Sequence, residues 1–125
     1  MNIAVVGASN NPEKYGNQIV RHLVDDGHTV FPVNLRDAII LGIPAYKTVG
    51  EIAQPIDIID IVVPPAATLD ILKQLLTLDK PNVWVQPGAE SEEVIKFLND
   101  HSKEFGQITY NLCIMTSLDR VYTVT

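Results

Sequence analysis

The sequence predicts an α/β protein, a doubly wound Rossmann-like three-layer α/β/α fold with a mainly parallel sheet of about five strands in the order 3-2-1-4-5. Three observations predict it. Short runs rich in β-branched residues recur along the chain, as in "IAVV", "DIIDIVV" and "NVWVQ", and unbroken apolar strands of this kind are buried on both faces. Between them lie longer stretches whose apolar residues repeat at helical spacing. The connections are short and carry glycine, proline or asparagine, so each helix returns the chain to begin another parallel strand.

The elements follow in order. Ile3, Val5 and Val6 form the first strand. A helix from about Gly16 to Asp26 places Ile19, Val20, Leu23 and Val24 on one face, and Gly27 closes it as a left-handed cap. "HTVFPVN" (28–34) is the second strand, and its Pro32 belongs at a sheet edge or bulge because proline cannot donate to the ladder. "LGIPAYKTVGEI" holds a short extended piece and a short helix near Val49 to Ala53. "DIIDIVV" (57–63) is the clearest buried strand and stops at Pro64-Pro65. The next helix, about Ala66 to Leu78, turns Leu69, Leu72, Leu75 and Leu76 inward. "NVWVQ" (82–86) ends at Pro87-Gly88. Ser91, followed by Glu92 and Glu93, opens a helix to about Glu104, with the acids set against the positive end of the helix dipole. "QITYN" (107–111) is the fifth strand, and the tail reads as a short helix with an extended end.

Residues 1–125 are expected to form one domain, with no repeat, linker or low-complexity segment. A hydrophobic fraction of 46% with mixed charges excludes a disordered chain. No apolar stretch reaches the ~20 residues of a membrane span, and no signal peptide is expected ahead of the first strand. The single cysteine, Cys113, fits a reducing compartment, so a cytoplasmic location is expected. A net charge of −6 argues against nucleic acid as a partner. That charge is unevenly placed. Across residues 1–50, Lys14, Arg21, Arg36 and Lys47 balance Glu13, Asp25, Asp26 and Asp37, so the excess lies entirely in residues 51–125. An anionic ligand is therefore better received by the N-terminal half.

Ligands of doubly wound sheets bind beyond the carboxyl ends of the strands. Here those ends are Gly7-Ala8-Ser9, Val33-Asn34-Leu35-Arg36, Val63-Pro64-Pro65, Gln86-Pro87-Gly88-Ala89 and Asn111-Leu112-Cys113. Any one such turn needs small or turn-forming residues for geometry alone. Several facing a single crevice suggest a ligand close to the backbone. Gly7 permits a tight turn, Ser9 offers a hydroxyl, and the helix start at Gly16 offers N–H groups to a phosphate, with Lys14 beside it. NAD is disfavoured. Eight residues separate Gly7 from Gly16, so the G-x-G-x-x-G spacing is absent, and Asn34 stands where an acid would bind the ribose diol. Arg36 suggests a phosphorylated ribose, leaving NADP and coenzyme A.

The segments "VVGAS", P-E-K-Y-G, "FPVN", "ILGIPAYKTVGEI", "DIIDIVVPP", "VWVQPGAESEE" and "CIM" resemble, in order and spacing, those of small CoA-binding domain proteins. Their domain also opens the alpha subunit of succinyl-CoA synthetase and the NDP-forming acyl-CoA synthetases. The resemblance spans about residues 3 to 115. It implies a phosphate loop of Gly7, Ala8, Ser9, Lys14 and Gly16, with Asn34 bordering the adenosine. It further implies that Pro64 and Pro65 line the nucleotide or pantetheine path, and that Gln86 and Gly88 lie towards the pantetheine end. Two departures stand out. Leu35 replaces the usual proline after Val33-Asn34, and Asn111-Leu112-Cys113 replaces a D-R-C sequence.

The resemblance implies a small stand-alone protein binding coenzyme A or an acyl-CoA as carrier, sensor or partner module, with a protein partner or homo-oligomer possible. The full synthetases depend on a phosphorylated histidine, whereas here His22 and His101 are expected on helices, facing solvent, and His28 is expected to open the second strand away from the crevice. No catalytic residue and no metal-ligand cluster is expected. Cys113 has two readings, a cysteine packed beside Leu112 and Ile114 or a thiol facing the sulfur end of a bound coenzyme, and packing is the simpler. Two other functions compete: an NADP-dependent or thiol-dependent acyl-transfer enzyme, and an interaction protein that has lost its nucleotide site.

Overall fold

The structure, a computed structural model, describes residues 1–122. The alternation of strand and helix appears as expected. In chain order the elements are β1 (Asn2–Val6), α1 (Tyr15–Asp25), β2 (Thr29–Val33), β3 (Ile39–Ile40), β4 (Ile43–Pro44), β5 (Ile58–Ile61), α2 (Pro65–Leu75), β6 (Val83–Val85), α3 (Glu92–Asp100), β7 (Ile108–Tyr110) and α4 (Ile114–Val121), with 3-10 turns at Val49–Glu51 and Ser102–Glu104. The extended end anticipated for the tail lies outside the described residues.

Five strands form a parallel sheet in the order β2-β1-β5-β6-β7. Counting its strands one to five along the chain, that order is 2-1-3-4-5 rather than 3-2-1-4-5. The cause lies just after β2. There the chain folds into the β3–β4 hairpin through Leu41 and Gly42, both at positive φ, as a two-residue type I′ turn requires. Tyr46 then returns to the outer edge of β2 as a single parallel bridge to Val33. That one-residue bridge occupies the place of an edge strand, and the next long strand pairs with β1 instead. The same edge accommodates Pro32. Its carbonyl accepts from the Tyr46 amide (2.9 Å), so its N side faces outward, where no sheet partner is lost.

Alternate residues of each strand face opposite helix layers. Ala4, Val6, Ile59, Ile61, Val83 and Val85 pack with Leu72 and Leu75 of α2 and Val94 and Leu98 of α3. Ile3, Val5, Ile58 and Trp84 pack with Ile19, Val20 and Leu23 of α1 and Ile114 and Leu118 of α4. These side chains are nearly all fully buried, and burying each contributes about 1.5–3 kcal/mol. The two cores fix the helices so that α1 and α2 both begin at the carboxyl edge of the sheet. No helix among the described residues is long and apolar enough to cross a membrane.

Candidate functional site

A crevice of about 530 Å³ opens at the carboxyl edge of the sheet. Its lining includes Gly7, Ala8, Ser9, Lys14 and Gly16 from the first loop, Asn34 after β2, Pro64 and Pro65 after β5, and Gly88 after β6. Nine of the residues expected from the sequence thus converge on one space. Tyr15, Val62, Val63, Pro87 and Ala89 complete the wall.

The glycines are needed because backbone packs on backbone. Gly7 has φ +102°, and a Cβ there would stand 2.9 Å from the Val62 carbonyl oxygen. On Gly16, a Cβ would run into the Gly7 carbonyl oxygen. Helix α1 therefore starts directly against the turn that leaves β1.

Side-chain amides hold the loop in shape. Asn34 Nδ2 donates to the Ala8 carbonyl (2.8 Å), while its Oδ1 accepts from the amides of Arg36 (2.7 Å) and Asp37 (2.9 Å). Buried Asn17 donates to the Ser9 carbonyl (2.9 Å). Asn10 Nδ2 donates to the Ile39 carbonyl (2.8 Å), and its Oδ1 accepts from the Leu41 amide (2.8 Å), which ties the loop to the β3–β4 hairpin. The Ser9 hydroxyl oxygen accepts from the Asn11 amide (3.0 Å), leaving its proton as a donor.

The helix starts differ in an informative way. Neither Lys14 before α1 nor Pro64 before α2 makes a side-chain cap hydrogen bond. At α3, away from the crevice, the Ser91 hydroxyl accepts from the Val94 amide (3.2 Å). A helix start leaves four N–H groups for other partners. The N-cap residue of α4, Cys113, makes no such bond either, but Gln86 supplies a side-chain acceptor there. The two starts left with neither are those at the crevice, and both turn the positive end of a helix dipole toward it. Lys14 adds a full charge at the first.

Three expected site residues lie outside the lining. Arg36 is exposed on the loop after β2, its amide held by Asn34. Gln86 is fully buried beneath the crevice, and its Oε1 accepts from the Ile114 amide (3.0 Å), which caps α4. Its Nε2 donates to the Tyr15 hydroxyl (2.7 Å). Cys113 stands behind Tyr15, partly buried, where its Sγ accepts from the Tyr15 hydroxyl (2.7 Å). Burial, then the contact with Cys113, pushes the Tyr15 hydroxyl's pKa up.

Asp60, midway along β5, was not anticipated as a site residue. Both its carboxyl oxygens are buried with no hydrogen-bond partner. Desolvation, and secondarily the nearby Cys113, hold its pKa well above the usual carboxylate range, so the neutral acid is favoured. None of the three histidines lines the crevice. Among the described residues no cluster of three or more His, Cys, Asp or Glu is arranged to hold a metal ion.

Known proteins share this architecture. An uncharacterized protein, YneT, from Bacillus subtilis is 30% identical over 90% of this chain and 81% of its own length. A conserved hypothetical protein from Pyrococcus furiosus superposes with a TM-score of 0.84 at 40% identity, covering 93% of this chain and 97% of its own. The alpha subunit of an ADP-forming acetate–CoA ligase II, also from Pyrococcus furiosus, is 46% identical over 50% of this chain, which amounts to 14% of that subunit. The family described as a CoA binding domain matches residues 1–119. The chain belongs to this CoA-binding domain family, is related to the CoA-binding regions of ADP-forming acetate–CoA ligases, and has coenzyme A as its expected ligand.

Proposed function

We propose that the protein acts as a stand-alone binder of coenzyme A or an acyl-CoA in the cytoplasm, a carrier, sensor or partner module rather than an enzyme. The observation that carries this reading is the pair of helix starts without side-chain caps, with Lys14, at the mouth of a preformed crevice. The diphosphate lies against the Gly7–Gly16 loop and the start of α1. The adenosine borders Asn34, and Arg36 reaches for the ribose 3′-phosphate. The pantetheine arm runs past Val62, Val63, Pro64 and Pro65 towards Pro87, Gly88 and Ala89. The rest of the lining is mainly small or apolar, with Lys14 and Tyr15 its ionisable side chains, a surface suited to holding a ligand more than to proton transfer.

A thermal-shift series with CoA, acetyl-CoA, NADP and NAD tests the reading. A ligand at 100 times its Kd adds about 2.7 kcal/mol, a rise in Tm of roughly 8–15 °C for a domain of this size. CoA or acetyl-CoA should give that rise and NAD should give none. Equal rises with NADP and CoA would contradict the assignment. No rise with any of the four would favour an interaction protein with a lost site.

A further inference from the structure

We propose that Cys113 is a thiol–disulfide exchange site, at which the protein forms a mixed disulfide with a coenzyme held in the crevice. This rests on the CoA-binding reading and extends it to a covalent step.

The surroundings of Cys113 differ from those of a cysteine that merely packs. Its sulfur accepts from the Tyr15 hydroxyl at 2.7 Å and from Gln86 Nε2 at 3.5 Å. Gln86 also donates to Tyr15 and fixes the first amide of α4, so all three groups are held in one arrangement. Cys113 is the N-cap residue of α4, where the helix dipole favours negative charge. Two donors and a helix start accommodate the charge that a sulfur carries when it attacks or leaves.

Position supplies the link to a ligand. Tyr15 lines the crevice on one side and touches Cys113 on the other. Pro87 and Gly88, immediately after Gln86, line the same crevice. The sulfur therefore sits one side chain behind the crevice wall, against the Gln86 side chain that leads into the Pro87-Gly88 turn assigned to the pantetheine.

Asp60 is the independent observation. It is fully buried and unpartnered, and it pairs in register with Trp84, so both side chains share one sheet face. The Trp84 indole donates to the carbonyl of Leu112 (2.8 Å), the residue before Cys113. Asp60 thus faces the start of α4. As a neutral acid it places no negative charge against a sulfur bearing one, and it remains a donor without a protein acceptor.

In the exchange, the Cys113 sulfur loses its proton to water and attacks one sulfur of a CoA disulfide. A Cys113–CoA sulfur–sulfur bond forms as the original one breaks, and the departing CoA thiolate takes up a proton. The protein thiol is oxidised and the disulfide reduced, so no further oxidant is required.

Intact-mass spectrometry of the full chain incubated with CoA disulfide tests this. The expected product is heavier by one CoA less two hydrogens, maps to Cys113, is reversed by dithiothreitol and is absent from Cys113→Ser. Recruitment into the crevice should make the reaction at least about tenfold faster than with oxidised glutathione. Desulfo-CoA, which lacks the thiol, should slow it by competition, and Tyr15→Phe should lower the rate of adduct formation at saturating CoA disulfide, where any change in affinity no longer counts. Desulfo-CoA raising Tm with no adduct at Cys113 would overturn the exchange and leave the binding reading intact. No Tm rise with desulfo-CoA or CoA, and CoA disulfide reacting no faster than oxidised glutathione, would overturn both.

Discussion

Gly16→Ala is expected to lower Tm by roughly 10–15 °C, a loss of about 3 kcal/mol. The added Cβ meets the carbonyl oxygen of Gly7, with the Gly7 carbonyl carbon 2.9 Å and the Ala8 Cα 3.3 Å away. All three are backbone atoms of the turn leaving β1, so no rotamer change relieves the clash. Helix α1 would have to withdraw. That strains the Asn17 bond to the Ser9 carbonyl and the packing of Ile19, Val20 and Leu23, which are fully buried. Gly50→Ala is the control, since a Cβ there meets nothing within 4 Å, and surface changes of this kind stay within about 0.5 kcal/mol. Thermal melts followed by circular dichroism compare the two. A loss under about 3 °C for Gly16→Ala would show that α1 does not press on the turn as described.

Replacing Asp60 should stabilise the protein at neutral pH, by about 1–3 kcal/mol for Asp60→Leu if the cost is that of one buried unsatisfied group. The pH dependence carries the sharper sign. Burial raises the folded-state pKa of Asp60 above its unfolded value. The folded protein therefore retains a proton that the unfolded chain has released, and the associated stability is full below about pH 3.9. It is lost as pH rises through the folded pKa. Asp60→Asn, which resembles the neutral acid, should match the native protein near pH 4 and exceed it increasingly towards pH 8. Taking the difference between the two proteins cancels the other titrating groups. Urea unfolding at a series of pH values measures it, and a difference that stays flat or narrows would mean that Asp60 is ionised and paired in solution.

Much of this molecule was legible in the chain because its signals are local. Short β-branched and apolar runs such as "IIDI" and "VWV" mark parallel strands, and Gly27 and Ser91 mark a helix end and a helix start. The strand order was less accessible. It depends on which edge the next long strand reaches, and here a hairpin at Leu41-Gly42 and one bridge at Tyr46 use the edge of β2. At the crevice, residues that act through backbone or small size, such as Gly7, Ser9, Gly16 and Gly88, were visible because strand ends converge in this fold. Gln86 was placed by its turn, yet its side chain turns beneath the sheet to α4, a direction that spacing does not encode. Tyr15 sat unremarked inside P-E-K-Y-G, since an aromatic at a helix start reads equally as core. Asp60 did carry a signal, an acid inside a strand whose other residues are all isoleucine.

An amide titration with CoA on isotopically labelled protein, read by two-dimensional NMR, gives the decisive comparison. The amides of Gly7, Ser9, Gly16, Asn34 and Gly88 should show the largest shifts; shifts confined to the outer faces of α2 and α3, around Lys73 and Phe97, would contradict the assignment of the crevice to coenzyme A.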